Sequence, residues 1–416
     1  MLTQLKKNKH IYYFFIFIFV FSISNAQTFS SSIELGANPN SQNYWWMKYN
    51  NFGFNDYSNY QKTKIRFNSS NFEIKLNIFS NLNELGSIFL NESYLKFNIR
   101  DNSYFRAGRY YRDYSSYLND ELSSGSILVS NNAQAMPKIG VVSKKKLKKN
   151  NNIIFDFGIS HAVFDQNELY DSSPFLHEKF VYINVIKSNY ELGIGFVHEA
   201  MWGGSTILLG NQPDKIQDFF KVIISADGPL KEGEPHDNAL GNHLGIWDFY
   251  YKKNIGDKNI KFYYQHFFED TSGLRFANKW DGLWGIELSN YLPQTSILLE
   301  YIDTTNQNIN PPYVNDAYYN HTIYTGGWSY KGYSIGNPFI SHIGINPTKV
   351  FHLGMNGPVF NDYFYEIKAS RKSNEKDIIK YHLSIKKEIF KKQMLKVFAF
   401  NNDREIGIGL SFTKKF

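Results

Sequence analysis

From Ile406 to Thr413 the side chains alternate without a break. Ile406, Ile408, Leu410 and Phe412 are apolar, Gly407, Gly409, Ser411 and Thr413 are small or polar, and the chain ends in Phe416. A period of two belongs to an extended strand with two unlike faces. The pattern recurs far upstream, where Phe72, Ile74, Leu76 and Ile78 alternate with Glu73, Lys75 and Asn77. It returns in Tyr363, Tyr365 and Ile367 against Phe364, Glu366 and Lys368, and in Ile379, Tyr381, Leu383 and Ile385 against Lys380, His382 and Ser384. No stretch after Gln27 approaches the ~18 uninterrupted apolar residues of a transmembrane helix. A chain patterned in this way folds as a β-sandwich or as a β-barrel, and alternation alone fits both.

The first 26 residues bear on that choice. Lys6, Lys7 and Lys9 form a basic head, Ile11 to Ile23 an apolar run, and Ser24, Asn25 and Ala26 a small-x-small cleavage site. This is an export signal, with Gln27 as the expected first mature residue. Loss of those three lysines lowers the formal charge from +7 to +4, too little to suggest a nucleic-acid partner. The chain has no Cys, which removes thiol nucleophiles, disulfides and a lipidated Cys after the signal. Export without Cys, an aromatic content of 18% suited to interfacial girdles, and an alternating last strand with a terminal Phe favour an outer-membrane barrel. The expected fold is all-β, a transmembrane antiparallel barrel whose apolar set faces lipid. Lys75, Glu366 and Lys380 then face a polar lumen. Outer-membrane lipid, and the outer-membrane assembly machinery during biogenesis, are the partners such a chain requires.

No Pro- or Ser-rich linker and no fixed-period repeat interrupts the pattern, so one domain over 27–416 is expected. Strands of about 10 residues with alternating short turns and longer loops give roughly 16 to 18 strands. Candidate loops are Asp113 to Asn132, Asp165 to Ser173, Asp227 to Asn242 and Asp303 to Asn320. The run Lys144 to Lys149, broken only by Leu147 and followed by three Asn, reads as a turn between strands, with binding of an anionic glycan or lipid phosphate as the lesser reading.

Catalytic signatures are incomplete. His198 and Glu199 begin an HExxH-like string that ends in Trp202, and after His177 and Glu178 the same position is Val181, so the second zinc-binding His is missing. Gly193 and Gly195 lack the third Gly of a dinucleotide fingerprint, His198 standing there, and read as small residues that clear the barrel interior. Glu269 and Asp270 are adjacent, so in a strand they point to opposite sides and cannot flank one glycosidic bond. The expectation is a protein that is not an enzyme and uses no metal or cofactor.

Several strings then occur in order: GRYYRDY from Gly108, GSILVSNNAQAMP from Gly125, FLHEK from Phe175, ELGIGFVHEAMWGG from Glu191 and GNHLGIWDF from Gly241. YYQHFFEDTSGL from Tyr263, DGLWGIE from Asp281 and GGWSYKGYSIGNPF from Gly326 follow. Together the chain resembles the Wzi-type capsule assembly proteins, with Gln134 where that pattern has Arg. The resemblance implies an outer-membrane barrel that binds exported capsular or extracellular polysaccharide and helps attach or assemble capsule at the surface, lectin-like and without catalysis. Some members carry a helical bundle at the periplasmic mouth; strand-like alternation soon after Ile33 argues against one here.

Sugar rings stack on aromatic faces while Asn, Asp and Arg satisfy their hydroxyls. Trp202, Trp247, Trp284 and Trp328 are therefore candidates for stacking, against the alternative that each is a girdle residue. Arg109, Arg112 and Asp113 form either a lumenal charge ladder or a clamp for sugar carboxylates. Asn131 and Asn132 are either ligand contacts or part of a loop folded into the barrel, and Asp248 and Asn337, inside the matched strings, complete the set. A diffusion porin or a polysaccharide exporter channel of similar architecture is the alternative reading.

Overall fold

The alternating segments pair as antiparallel neighbours that close on themselves. The computed structural model describes residues 28–38, 50–54, 59–83, 88–100, 102–207, 209–228, 239–269, 271–306, 318–360, 362–373, 379–402 and 405–416. The export segment, Gln27 and Asp270 lie outside the described residues. Eighteen strands span the wall. They are β1 (Thr28–Ala37), β2 (Asn59–Asn68), β3 (Phe72–Asn81), β4 (Tyr94–Arg100), β5 (Ser103–Arg109) and β6 (Pro137–Leu147). β7 (Asn150–Val163), β8 (Phe175–Ile186), β9 (Tyr190–Trp202), β10 (Asn242–Ile255), β11 (Lys258–Phe268) and β12 (Gly282–Ser289) continue the wall. β13 (Ser296–Asp303), β14 (Lys349–Pro358), β15 (Tyr363–Lys372), β16 (Ile379–Phe390), β17 (Gln393–Asn402) and β18 (Glu405–Lys415) complete it. Each pairs with the next, and β18 pairs with β1 from Ala37↔Leu410 to Ser32↔Lys415, so no edge is left open.

The two faces sort as alternation requires. On β18 Ile406, Ile408 and Leu410 are exposed on the outer wall, while Ser411 is buried inside. On β16 Ile379, Leu383 and Ile385 are outside and Ser384 inside. Lumenal charges are paired: Lys75 meets Glu92 at 2.6 Å, and Glu366 meets Lys368 at 3.5 Å. This removes most of the cost of confining charge in a narrow space.

One end of the barrel carries short turns such as 69–71, 148–149, 256–257 and 391–392, the other long connections such as 110–136, 203–241 and 304–348. By the usual rule the short-turn end is periplasmic and the long-loop end extracellular. The Lys144 to Lys149 run is only partly a turn. Lys144 to Leu147 complete β6, with Lys144 held by Asp156 at 2.8 Å, and 148–149 alone reverse the chain. Loop 203–241 contains a helix that the sequence reading did not foresee, α1 (Ile216–Ile224).

The aromatic abundance serves a second purpose besides girdles. Tyr182, Tyr250 and Tyr263 point into the lumen, each lying flat over a glycine on the neighbouring strand. A Cβ on Gly195 would stand 2.2 Å from Tyr182, one on Gly193 2.1 Å from Tyr250, and one on Gly285 2.0 Å from Tyr263. The space cleared by Gly195 is thus filled by a ring whose hydroxyl meets Ser115 and Asp248, and that cleared by Gly193 by one whose hydroxyl stays on the wall, bonded to Asn184 and Glu191.

Candidate functional site

The lumen is where the polar chemistry converges. At Gly108 the backbone adopts φ +134°, and a Cβ there would meet the Ser93 carbonyl oxygen at 2.5 Å. This residue lets the chain leave β5 and turn inward. Residues 110–136 then descend into the barrel and form, with part of 318–345, one large buried cluster that includes Tyr111, Tyr114, Leu122, Ile127, Leu128, Tyr319, Trp328 and Phe339.

Side chains of the wall reach inward to hold this insert. The Asp248 carboxylate of β10 accepts from Ser115 Oγ and Tyr182 OH, each at 2.5 Å, and from Tyr117 OH. Glu300 of β13 accepts from Ser123 Oγ and the Ser124 amide, each at 2.6 Å, and from Tyr263 OH. Glu199 of β9 takes the Tyr114 hydroxyl, and Glu287 of β12 the Asn119 amide at 2.8 Å. Gln265 accepts from the Ile127 amide at 3.1 Å, Lys261 donates to the Tyr117 carbonyl at 2.6 Å, and His352 Nε2 donates to the Leu122 carbonyl at 2.7 Å. Burial first, then the adjacent Asp248 carboxylate, pushes the Tyr117 phenol well above its ordinary range. Burial and Glu199 do the same to Tyr114. Both phenols stay protonated and keep donating.

The second inward loop locks onto the first. Trp328 Nε1 donates to the Leu128 carbonyl at 2.9 Å, and Tyr319 OH to the Ile127 carbonyl at 2.5 Å. Asn337 Nδ2 donates to the Gly125 carbonyl at 2.6 Å, and Asn132 Nδ2 to the Ser334 carbonyl at 2.8 Å. Above them, Ser329–Tyr330 and Tyr333–Ser334 form a small hairpin whose tip, Lys331 and Gly332, has φ of +54° and +81°, a primed turn. Just before β12, Asp281 is fully buried and accepts from the Asn306 backbone at 3.0 Å and Tyr318 OH at 2.8 Å. Burial raises its pKa to about 6 against the opposing pull of those hydrogen bonds.

The candidates drawn from sequence divide by depth. Arg109, Arg112 and Asp113 make no ladder with one another. Arg109 donates to the Ala135 carbonyl at 3.0 Å and Tyr330 OH at 3.1 Å, Arg112 pairs with Asp120 at 2.5 Å, and Asp113 pairs with Arg106 and Tyr104 OH. Asn132, Asp248, Trp328 and Asn337 are completely buried in the lumenal core. Asn131 is half-buried near the mouth, where its carbonyl accepts from Phe52 at 2.7 Å.

Trp247 and Trp284 belong to the outer wall. Trp284 stacks on Tyr264 with centroids 3.7 Å apart, and Trp247 meets Phe196 edge-on at 5.0 Å. Trp202 is buried against Phe219 of α1. His198 and Glu199 sit on a strand, with Glu199 turned into the lumen and His198 outward, so the HExxH-like string brings nothing together. Glu199 stands in the sequence reading only as part of an HExxH-like string, and Gln265, Glu287, Glu300 and His352 are not singled out there. Their signal was present, since each occupies the inward phase of a strand whose other phase is apolar. Among the described residues no group of three or more potential metal ligands is found.

Comparison with known proteins adds to this geometry. The family model described as capsule assembly protein Wzi matches residues 30–356. The solved structure of Wzi from Escherichia coli is described as an outer-membrane protein involved in group 1 capsule assembly and a carbohydrate-binding β-barrel. It covers 94% of this chain and 85% of its own at 15% identity, with a TM-score of 0.59, a likeness of fold. A substituted Rh. blastica porin matches at 9% identity over 94% and 99% of the two chains, TM-score 0.42. OmpF of Salmonella typhi matches at 8% over 93% and 96%, TM-score 0.40. No curated protein sequence matches.

Proposed function

The chain belongs to the capsule assembly protein Wzi family, and on that premise we propose that it binds exported polysaccharide at the cell surface and helps attach or assemble capsule there, without catalysing a reaction on the polymer. It is an outer-membrane β-barrel. The observation that carries the reading is the packed lumen. Two loops fill the space that an 18-stranded porin leaves to water, and their anchors are buried carboxylates already engaged by hydroxyl and amide donors. A polymer passing through would have to displace that network, whereas one held outside meets a rim that the network makes rigid.

Among the proposed polysaccharide contacts, Asn131 stands nearest the mouth, beside the hairpin that carries Lys331. Arg109, Arg112, Asp113, Asn132, Asp248, Trp328 and Asn337 support this rim from beneath, by positioning the two inward loops. The outer-membrane assembly machinery remains a proposed partner in biogenesis, and 27–416 the proposed single mature domain.

The test uses purified protein and the capsular polysaccharide of its own cell. Binding should weaken in Asn131→Ala and Lys331→Ala and remain in Trp247→Ala and Trp284→Ala, whose rings face lipid. No reducing ends should be released, in wild type or in Glu269→Gln. Cells lacking the gene should shed polysaccharide into the medium while still making it. Capsule retained normally in such cells, or equal binding by all four variants, would overturn the proposal.

A further inference from the structure

Helix α1 lies outside the barrel, against the extracellular ends of β8 and β9. The wall beneath it is not suited to lipid. The outward phases of β7 to β10 place His161, His177, Lys179, His198 and His243 there, next to Trp202. Polar groups facing hydrocarbon without partners are costly. The helix covers them. Val222 is fully buried, and the Phe219 ring packs at 5.4 Å from His161, 5.5 Å from His177 and 5.3 Å from Trp202. Lys179 Nζ donates to the Ile223 carbonyl, one of the last-turn carbonyls that a helix leaves without an internal donor. Ser225 Oγ stands 3.1 Å from His198 Nε2, which is 2.8 Å from His243 Nδ1.

A second apolar edge of the same helix touches no wall. Ile216, Phe220 and Ile224 are 67%, 62% and 74% exposed, and their i, i+4, i+8 spacing puts them on one line. Gln217 and Lys221 run along the adjacent line, also exposed. On the strands that carry the covered wall, Ile159, Val181, Ile183 and Ile194 are exposed and apolar, and these form the lipid-facing band. From Lys179 to the end of β8 at Ile186 the chain rises by roughly 18 Å at the usual strand rise and tilt, less than the apolar band of about 25 Å that such barrels present.

The geometry points to α1 as an interfacial helix seated in the outer leaflet of the outer membrane. Ile216, Phe220 and Ile224 lie among acyl chains and complete the upper part of the band, and Gln217 and Lys221 lie at the level of the headgroups. The occupant of the exposed edge is lipid. The helix thereby shields a polar stretch of barrel wall and ties loop 203–241 to the membrane surface.

Because the chain has no Cys, single nitroxide labels can be attached at Phe220→Cys, Lys221→Cys and Val181→Cys in protein reconstituted into phosphatidylethanolamine–phosphatidylglycerol vesicles. Collision with dissolved oxygen, which concentrates in hydrocarbon, is compared with collision with a water-soluble nickel chelate. The label at 220 should favour oxygen several-fold, as should the label at 181, and the label at 221 should favour nickel. Nickel access at 220 with oxygen access at 181 would overturn the helix assignment while leaving the barrel intact. Shielding from both reagents at 220 would also overturn it, because a protein surface would then cover the edge. Ile216→Cys gives the same reading should Phe220→Cys lose the gel mobility shift on boiling that marks the folded barrel.

Discussion

Replacing Glu300 by Ala removes one acceptor and strands three donors. Ser123 Oγ, the Ser124 amide and Tyr263 OH all deliver their hydrogens to this carboxylate, and Ser123, Ser124 and Tyr263 are buried. A buried donor left without an acceptor costs about 1–3 kcal/mol. Water entering the space vacated by the side chain relieves part of that cost, so a loss near the lower bound, about 3 kcal/mol in all, is expected. Glu300→Gln should fall between, because its carbonyl oxygen still accepts while its amide opposes the Ser124 N–H. The loss should act on the insert before the wall, since the strands keep their own ladders. In planar bilayers the wild type should show no steady conductance, Glu300→Ala brief openings, and replacement of 113–132 by a short Gly-Ser bridge large stable steps. Gels run without boiling should show the variant losing its folded band at a lower temperature than wild type. A wild-type barrel that conducts as steadily as the loop-replaced one would refute the argument. So would a Glu300→Ala protein indistinguishable from wild type in both assays.

Gly285→Ala should destabilise the barrel by about 1–3 kcal/mol through overpacking against Tyr263, and thermal unfolding of Gly285→Ala/Tyr263→Ala should show most of that cost gone relative to Tyr263→Ala alone. Asp281 titrates near 6 in the fold and near 3.9 in an unfolded chain, so the native state binds the proton more tightly. Its contribution to stability is therefore present at low pH and fades as pH rises through about 6. Acidifying from pH 7.5 to 5 should stabilise the wild type by about 1.4 kcal/mol more than Asp281→Asn, and equal pH responses in the two proteins would contradict the assignment. Deleting Phe412 to Phe416 removes the pairing of Leu35 with Phe412 and of Ser32 with Lys415, and should leave the chain out of the membrane fraction and degraded; unaltered membrane yield would count against closure through β18.

The wall was legible because one rule governs it. Wherever one face of a strand meets lipid, the apolar phase is fixed, and Ile406 to Phe412 or Ile379 to Ile385 declare their orientation without further context. The lumen obeys no such rule. Trp328 and Trp284 look alike in sequence, yet one is a buried post donating to Leu128 and the other a ring on the outer wall. The difference is set by a connection that folds inward, and inward folding depends on partners far away in sequence. Asn132 illustrates the same point. A loop folded into the barrel is one of the two readings its sequence leaves open, but the partner it clasps there, the Ser334 carbonyl about two hundred residues on, is not legible. Helix α1 is not legible in the sequence because it is only nine residues long, too short for its amphipathic period to stand out from the alternating strands on either side.

The anchoring of residues 110–136 also orders events during biogenesis. Ser115 bonds to a residue 133 positions ahead, Ser123 to one 177 ahead, and Leu122 to one 230 ahead. Contacts of that separation form only after the intervening chain has been ordered, so docking is late by the logic of loop closure. Until then Asp248, Glu300 and Glu199 line a hydrated cavity, and the water around them must leave as the insert settles. Zipping of β18 onto β1 fixes the girth of the wall on which those carboxylates sit, and with it the spacing that the insert must match. Seating and closure are therefore coupled, and cleavage of the nascent chain by protease between 116 and 121 should cease in the same step that joins the first strand to the last.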